Sequence, residues 1–314
     1  MITLIDGSNA ILRLASVAKK SGESGDFIKR LLEFIYWNGL DSEQMIFFWE
    51  GLNSTKTKKD IYPNYKEGRV KTEDDKYVQT CFQIAKEILE GLHVCCIQVE
   101  NCEADDVIAH YALNSSEQIK VISEDRDYVQ LLTRDNIILN RPMKRVTLKG
   151  SDVLESEGII VENFILAKAL CGDKSDNIKG LTSVDIPRLV HYFPELCLKE
   201  MNEEQFLEQI SKVDYINENK FAEKRDYVFR CSLIEKIINN FDDLKLNLKI
   251  MKMGDLPELE KNKLQYQLDK YNNKEKKVDR KTLMQLMAMN NIGFNMNKFQ
   301  SLFLLLCKFT KNKV

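Results

Sequence analysis

Nine carboxylates stand out by where they fall. Asp6 follows the apolar run 1–5, and Glu50 follows the apolar run 45–49. Glu103, Asp105 and Asp106 come just after the run 94–99, and Asp125 and Asp127 just after 119–123. Asp173 and Asp176 lie in the segment CGDKSDN, beyond the apolar stretch 163–170. If the four runs are neighbouring strands of a parallel sheet, their C-terminal ends share one edge, where α/β sheets bind ligands. Carboxylates gathered there repel one another and call for cations. Hard divalent ions such as Mg²⁺ take oxygen ligands. Two such ions side by side can activate a water and stabilise the leaving oxygen of a phosphodiester. Each acid also has an ordinary explanation. Asp-Gly pairs make turns, Asp125 and Asp127 suit a helix cap, and residues 103–106 suit an acidic first turn. Capping does not account for acids after four successive strands together with a fifth pair.

The elements that must position these acids are legible as a pattern. Runs 1–5, 45–49, 94–99, 119–123 and 136–140 read as strands. Stretches 11–18, 27–37, 72–92, 104–113 and 128–132 read as helices, with Thr72 an expected N-cap and Asp74 and Asp75 in that helix's first turn. Strands alternating with helices predict an α/β domain with a mostly parallel sheet. Beyond about residue 151 the strand signal fades, and 163–170, 186–192, 203–210 and 220–238 read as helical. Three parts are expected. Residues 1–160 form the core, interrupted by a polar, Lys-rich stretch from 51 to about 71. Residues 161–255 form a helical region, and 256–314 a basic helical part entered through a linker at 254–257.

The bulk numbers narrow the class. The chain has 314 residues, 44% of them hydrophobic and 30% charged, with 13 Gly and 5 Pro. That composition describes a globular protein, with extended disorder not expected. The apolar run 302–307 is too short to span a bilayer, and the opening MITLIDGSNA lacks a secretory signal's basic region. Eight cysteines form no CxxC pair, and only three His are present. A disulfide framework, a zinc site or a histidine metal site is therefore not expected, and a reducing cytoplasm is. Net charge is −2, yet Lys56, Lys58, Lys59, Lys66, Arg69 and Lys71 stand within 56–71 against Asp60 and Glu67. Residues 260–314 hold twelve Lys/Arg against four acids. A polyanion partner needs local positive surface rather than a positive total.

Several segments then match a known family in order and spacing: LIDGSN (4–9), YPNYKEGR (62–69), EADD (103–106), SEDRDYVQLL (123–132) and LAKALCGDKSDNIKG (166–180). Over roughly residues 1–190 the chain resembles the 5′→3′ exonuclease and flap endonuclease family. That family includes phage and bacterial 5′ nucleases, the phage ribonuclease H branch and the 5′-nuclease domain of DNA polymerase I. The resemblance implies a PIN-like α/β nuclease core with a helical arch over about 51–80. A helix–hairpin or helix–three-turn–helix region would follow. It implies two Mg²⁺ ions, with Mn²⁺ able to substitute. Asp6, Glu50, Glu103 and Asp105 would hold one ion. Asp125, Asp127, Asp173 and Asp176 would build the second site, supported by Asp106. Lys66 and Arg69 would contact the scissile phosphate, Tyr62 or Tyr65 would stack on a base, and Lys56, Lys58, Lys59 and Lys71 would meet nucleic acid. Implied substrates are DNA with a 5′ flap or nick and RNA–DNA hybrids, in primer removal and flap processing. A single-stranded-DNA-binding protein or sliding clamp is an implied partner, and a monomer the implied state. Two rival readings are a binding protein with weak catalysis and a PIN-type ribonuclease. The chain departs from the family at Glu50, where Asp is usual. It departs again in GLTSVDIPR, where Ser183 and Asp185 replace glycines and Pro187 lies near the usual Lys. That leaves Arg188 as the basic group of this turn.

Overall fold

In β1 (Ile2–Asp6) every residue is buried, and β2 (Gln44–Trp49) is the same. Alternate side chains serve opposite faces of a strand. Leu4, Ile46 and Phe48 join one apolar cluster, while Ile5, Phe47 and Trp49 join another. A sheet covered on both faces is what parallel pairing requires. The computed structural model describes residues 1–22, 25–68, 76–212, 224–293 and 295–312.

Within them lies a six-stranded sheet. It adds β3 (Cys95–Gln98), β4 (Ile119–Ile122), β5 (Ile137–Arg141) and β6 (Val146–Leu148), in the order β3-β2-β1-β4-β5-β6. All pairings are parallel except β5 with β6. The α/β class with a mostly parallel sheet is therefore as expected. The antiparallel β6 was not foreseen; it is three residues long and two of them are exposed, so it has no buried alternation to read.

One face of the sheet packs against α1 (Gly7–Ser21), α2 (Asp26–Gly39) and α4 (Lys76–Gly91). The other carries α5 (Ala104–Asn114) and α7 (Val161–Cys171). Between them in the chain lie α3 (Lys56–Ile61) and α6 (Gly150–Glu157). The expected helix 128–132 is a 3₁₀ helix, Arg126–Thr133. Further on come α8 (Ile186–Tyr192), α9 (Glu203–Ile210), α10 (Lys224–Asn239), α11 (Phe241–Met251), α12 (Glu258–Asn273), α13 (Arg280–Met289) and α14 (Met296–Lys311). The expected start of the helix over 72–92, with its cap at Thr72 and the acids Asp74 and Asp75, lies outside the described residues.

The apolar cores run across residue 160 and take in the C-terminal helices. Phe164, Leu170, Ile250 and Leu264 share the cluster of Leu4, whereas Leu302, Leu306 and Phe309 share that of Ile5. Residues 254–257, expected as a linker, are docked instead. The Gly254 carbonyl accepts a hydrogen bond from His110 Nδ1 at 2.9 Å, and Leu256 is buried. No helix among the described residues is long and apolar enough to cross a membrane.

Candidate active site

Two glycines let strand ends and helices close around the first two acids. A Cβ on Gly7 would sit 2.7 Å from the Phe48 carbonyl oxygen, and one on Gly51 would sit 1.9 Å from that of Val99. Asp6, at the end of β1, caps α1 by accepting the Asn9 N–H at 2.9 Å, and Ser123 donates to its other oxygen at 3.3 Å. The cap therefore exists, and it holds the carboxylate at the sheet edge. Burial raises the Asp6 pKa to about 6, with Asp125 adding repulsion. Glu50 follows β2 and accepts the Ala104 N–H at 3.3 Å. Burial, then the nearby Glu103 and Asp6, push it up to about 7.

The third group opens α5. Carboxylate oxygens of Glu103, Asp105 and Asp106 lie within 4.8 Å of one another. Burial raises Asp105 and Asp106 above the usual carboxylate range. Glu103 is just as enclosed, but Lys58 and Lys66 outweigh its burial and hold it at about 2. Lys58 Nζ is 3.0 Å from both Glu103 Oε2 and Asp106 Oδ2, and Lys66 bonds Glu103 Oε1. The Tyr65 hydroxyl lies 2.8 Å from Glu103 Oε2 and 3.0 Å from Asp176 Oδ2.

Asp125 caps the 3₁₀ helix through the Asp127 N–H at 2.9 Å. Asp127 faces the last segment, where Lys168 on α7 bonds it and also reaches Asp173 Oδ2 at 3.1 Å. Asp173 is fixed by the Ser175 N–H at 2.8 Å and the Ser175 hydroxyl at 2.6 Å. The Lys66 N–H donates to the Asp176 carbonyl at 2.9 Å, tying the basic segment to this loop. One small cleft is lined by Asp105, Asp127, Asp173 and Asp176 together with Lys58, Tyr65 and Lys168. Acids from the third, fourth and fifth segments thus meet in one place, with Asp6 and Glu50 electrostatically coupled to that cluster. A donor set made of carboxylate oxygens suits a hard divalent cation.

Two residues, Tyr65 and Lys58, sit otherwise than expected. Tyr65 is 2% exposed, and its ring lies beneath Lys58 and Lys66 at 5.6 and 5.1 Å, so it props the acids and offers no face to a base. Lys58 is buried too, neutralising Glu103 and Asp106 where a nucleic-acid contact was expected. Tyr62 is half-buried and donates to the Asn177 carbonyl at 3.1 Å. Lys56 and Lys59 are exposed, as is Arg188. Arg188 donates to the Ser183 carbonyl and lies 5.6 Å from the Phe229 ring centre. The Asp185 carboxylate caps α8 through the Arg188 N–H at 2.9 Å, and Ser183 adopts φ 63°, the left-handed region that glycine favours. Arg69 and Lys71 lie outside the described residues.

Lys168 was missed. Its signal was present: beyond Glu162 in the first turn, Lys168 is the one charge on α7, a helix otherwise mostly apolar and buried. A cation so placed needs an anionic partner.

A family model described as the 5′–3′ exonuclease N-terminal resolvase-like domain matches residues 1–158. A 5′–3′ exonuclease of Buchnera aphidicola is 35% identical over 129 residues, covering 40% of this chain and 44% of that protein. A DNA polymerase I of Rhizobium leguminosarum is 32% identical over 135 residues, 42% of this chain and 13% of the polymerase. The chain thus spans less than half the length of these curated relatives. Among solved structures, bacteriophage T5 5′-exonuclease with bound divalent metal ions (zinc) matches with a TM-score of 0.62 at 17% identity, covering 98% of this chain and 99% of that one. The catalytic core of Rad2 in complex with a DNA substrate matches with a TM-score of 0.53 at 16% identity, covering 97% and 92%. Identities this low speak to the fold alone, and the fold agrees along nearly the whole length. With the family model covering the entire acid-bearing sheet, the chain belongs to the 5′–3′ exonuclease family.

Proposed function

We propose that this chain is a Mg²⁺-dependent, structure-specific 5′→3′ exonuclease and flap endonuclease. It would hydrolyse phosphodiesters near 5′ ends of DNA or RNA–DNA during primer removal and flap processing in the cytoplasm. One observation carries the reading: carboxylates of Asp105, Asp127, Asp173 and Asp176, from three separate segments, line one cleft together with two lysines. The solved relatives whose descriptions include a DNA substrate or divalent metal ions share this fold.

When bound, divalent ions polarise the phosphoryl oxygen, lower the pKa of a water and neutralise the leaving oxygen. Asp6, Glu50, Glu103 and Asp105 would hold one ion. Asp125, Asp127, Asp173 and Asp176 would hold the second, with Asp106 in support. Lys66 stands at the rim of the acids and is hydrogen-bonded to Glu103. It would turn to the scissile phosphate with Arg69 and stabilise the charge that grows on its oxygens. Tyr65 and Lys58 would keep Glu103 and Asp106 ionised and oriented. Lys56, Lys59, Lys71 and Arg188 would meet the nucleic-acid backbone, and Tyr62 its bases. Residues 1–160 would form the cutting core and 161–255 the region gripping duplex DNA.

The test is a cleavage panel with Mg²⁺: a 5′-flap duplex, a nicked duplex, an RNA–DNA hybrid and single-stranded RNA, each labelled at either end. Cutting near the 5′ end of the first three is expected. Asp127→Asn or Asp173→Asn should abolish it and leave DNA binding largely intact. Binding without cutting would favour a catalytically weak binding protein. Cutting confined to single-stranded RNA would favour a PIN-type ribonuclease.

A further inference from the structure

The loop bearing Asp173 and Asp176 is a closed unit with a narrow neck. Asp173 and Ile178 exchange two backbone hydrogen bonds at 2.9 and 2.8 Å, and the Leu181 N–H donates to Leu170 at 2.8 Å. Gly180 approaches the Cys171 carbonyl so closely that a Cβ there would lie 2.1 Å from it. So tight a unit moves as a body, and its two acids turn with it. What fixes its angle to the rest of the site lies outside the loop.

Tyr62, Tyr65 and Lys66 hold the loop from one side. Two amides tie the cleft to α11 and its exit, Asn247 through the neck of the loop and Gln130 through the helix of Asp127. Asn247, 7% exposed, donates through Nδ2 to the carbonyls of Ala169 at 3.0 Å and Lys179 at 2.8 Å, one on each side of the neck. Gln130, one helical turn beyond Asp127, donates to the Asp127 carbonyl at 3.0 Å and to that of Met251 at 3.2 Å. Its oxygen accepts the Met253 N–H at 2.9 Å. Ile250, Met251 and Met253 form the apolar wall of the same cleft. The segments bearing Asp127 and the Asp173–Asp176 loop are about 45 residues apart, yet each is tied to the single stretch 247–253, the first through Gln130 and the second through the Ala169 and Lys179 carbonyls.

We propose that α11 and residues 251–253 act as a brace. Through the positioning residues Asn247 and Gln130, they set the separation of Asp127 from Asp173 and Asp176. The inference rests on the reading of these acids as a metal- and phosphate-binding group. It assigns that group's spacing to a part of the chain beyond the stretch 1–158 that marks the family. Partners that orient first ligands commonly change metal affinity or activity by about 10–100-fold when removed.

The test uses the full chain and the variants Asn247→Ala, Asn247→Asp, Gln130→Ala and Gln130→Glu. In EDTA, the amides of Ser175, Asp176 and Ile178 should exchange hydrogen roughly 10-fold faster than in the parent, as an outer support is lost. Mn²⁺ binding, followed by its electron paramagnetic resonance signal, should weaken by about 10-fold at one ion and hold at the other. On a 5′-flap duplex, kcat should fall while KM stays within about twofold, since the brace touches no substrate. A control removes an equally buried amide elsewhere on α7: Asn163→Ala, which frees the Leu196 and Lys199 carbonyls. It should cost stability but leave loop exchange and Mn²⁺ binding unchanged. Parent-like loop exchange and Mn²⁺ binding in the brace variants overturn the proposal, as does an equal effect from Asn163→Ala. If the Asn247 variants do not fold, Gln130→Glu at its half-buried position decides by the same readings. A parent chain that cuts no 5′-end substrate while the variants still loosen the loop would sink the proposed function and leave the brace standing.

Discussion

Lys168 and Asp173 are joined across the turn that ends α7, ammonium to carboxylate at 3.1 Å, and the same ammonium bonds Asp127. One cation thus neutralises acids from two elements. In EDTA, Lys168→Met should lose about 1–2 kcal/mol, between the scales for an exposed and a buried pair, because all three side chains are part-buried. Urea unfolding measures it. Adding Ca²⁺ should recover more stability in the variant than in the parent, because the ion then carries the neutralisation alone. Equal recovery in both would show that Lys168 and the ion do not share this group.

Lys66 adopts φ 54°, an uncommon backbone for a side chain of its size, and is held there by its N–H bond to Asp176. That strain aims its ammonium at Glu103. Lys66→Ala should slow single-turnover cleavage by roughly 10²–10³-fold, the cost of losing one donor to charge developing in the transition state. Binding of the flap duplex should change far less. An unchanged single-turnover rate would remove Lys66 from the chemistry.

The acids set two opposite pH windows in the ion-free protein. Asp6 is raised from 3.8 to about 6 and Glu50 from 4.5 to about 7. Between those limits the folded chain keeps protons that the unfolded chain has released. Their contribution to stability is therefore full below pH 4 and lost as pH rises through about 7. Glu103, lowered from 4.5 to about 2, does the reverse: its contribution is present above 4.5 and lost as pH falls toward 2. Urea midpoints in EDTA should thus decline from pH 5 to 7.5, and Asp6→Asn should flatten that decline. Saturating Mg²⁺ should reverse the slope, since ion binding releases those protons. A flat EDTA profile in the parent would contradict the burial of both acids.

Ser183 occupies a left-handed position at φ 63° in the turn before α8. For an L-residue that conformation costs about 1–2 kcal/mol, which glycine avoids while raising the entropy of the unfolded chain. Ser183→Gly should therefore stabilise the protein by up to about 1 kcal/mol in urea unfolding. The Arg188 bond to the residue-183 carbonyl survives the change, because it uses backbone oxygen. A loss of stability would mean the serine hydroxyl matters more than its backbone.

Much of the site was legible because a parallel sheet converts sequence order into place. Once the runs before Asp6, Glu50, Glu103 and Asp125 are strands, their ends must share an edge. The Asp-Gly at 6–7 and the Glu-Gly at 50–51 were visible, though not their reason, a helix and a loop pressed too close for a Cβ. Partner choice was illegible. Lys58 reads as surface charge beside Lys56 and Lys59, and only the docking of α3, where Thr57 bonds the Asn101 carbonyl, brings it beneath Glu103 and Asp106. The resemblance offers Tyr65 as a platform for a base, yet its hydroxyl finds two carboxylates and its ring is enclosed. The C-terminal helices were harder still. Helical periodicity shows that α12 and α14 have apolar sides, but it says nothing about which sheet face receives them. They went to opposite ones, Leu264 with the cluster of Leu4 and Leu302 with that of Ile5.

The imbalance inside the cleft has a further effect. Lys58 and Lys168 share its lining with Asp105, Asp127, Asp173 and Asp176, and Glu103 and Asp106 lean on the same Lys58. Ammonium groups are outnumbered, so the protein's own field at this spot turns a phosphate away. On the proposed function, a polyanionic strand would settle there only after small cations had changed the sign of the field. The same acids would then also act as an electrostatic interlock, setting the order in which ion and strand arrive.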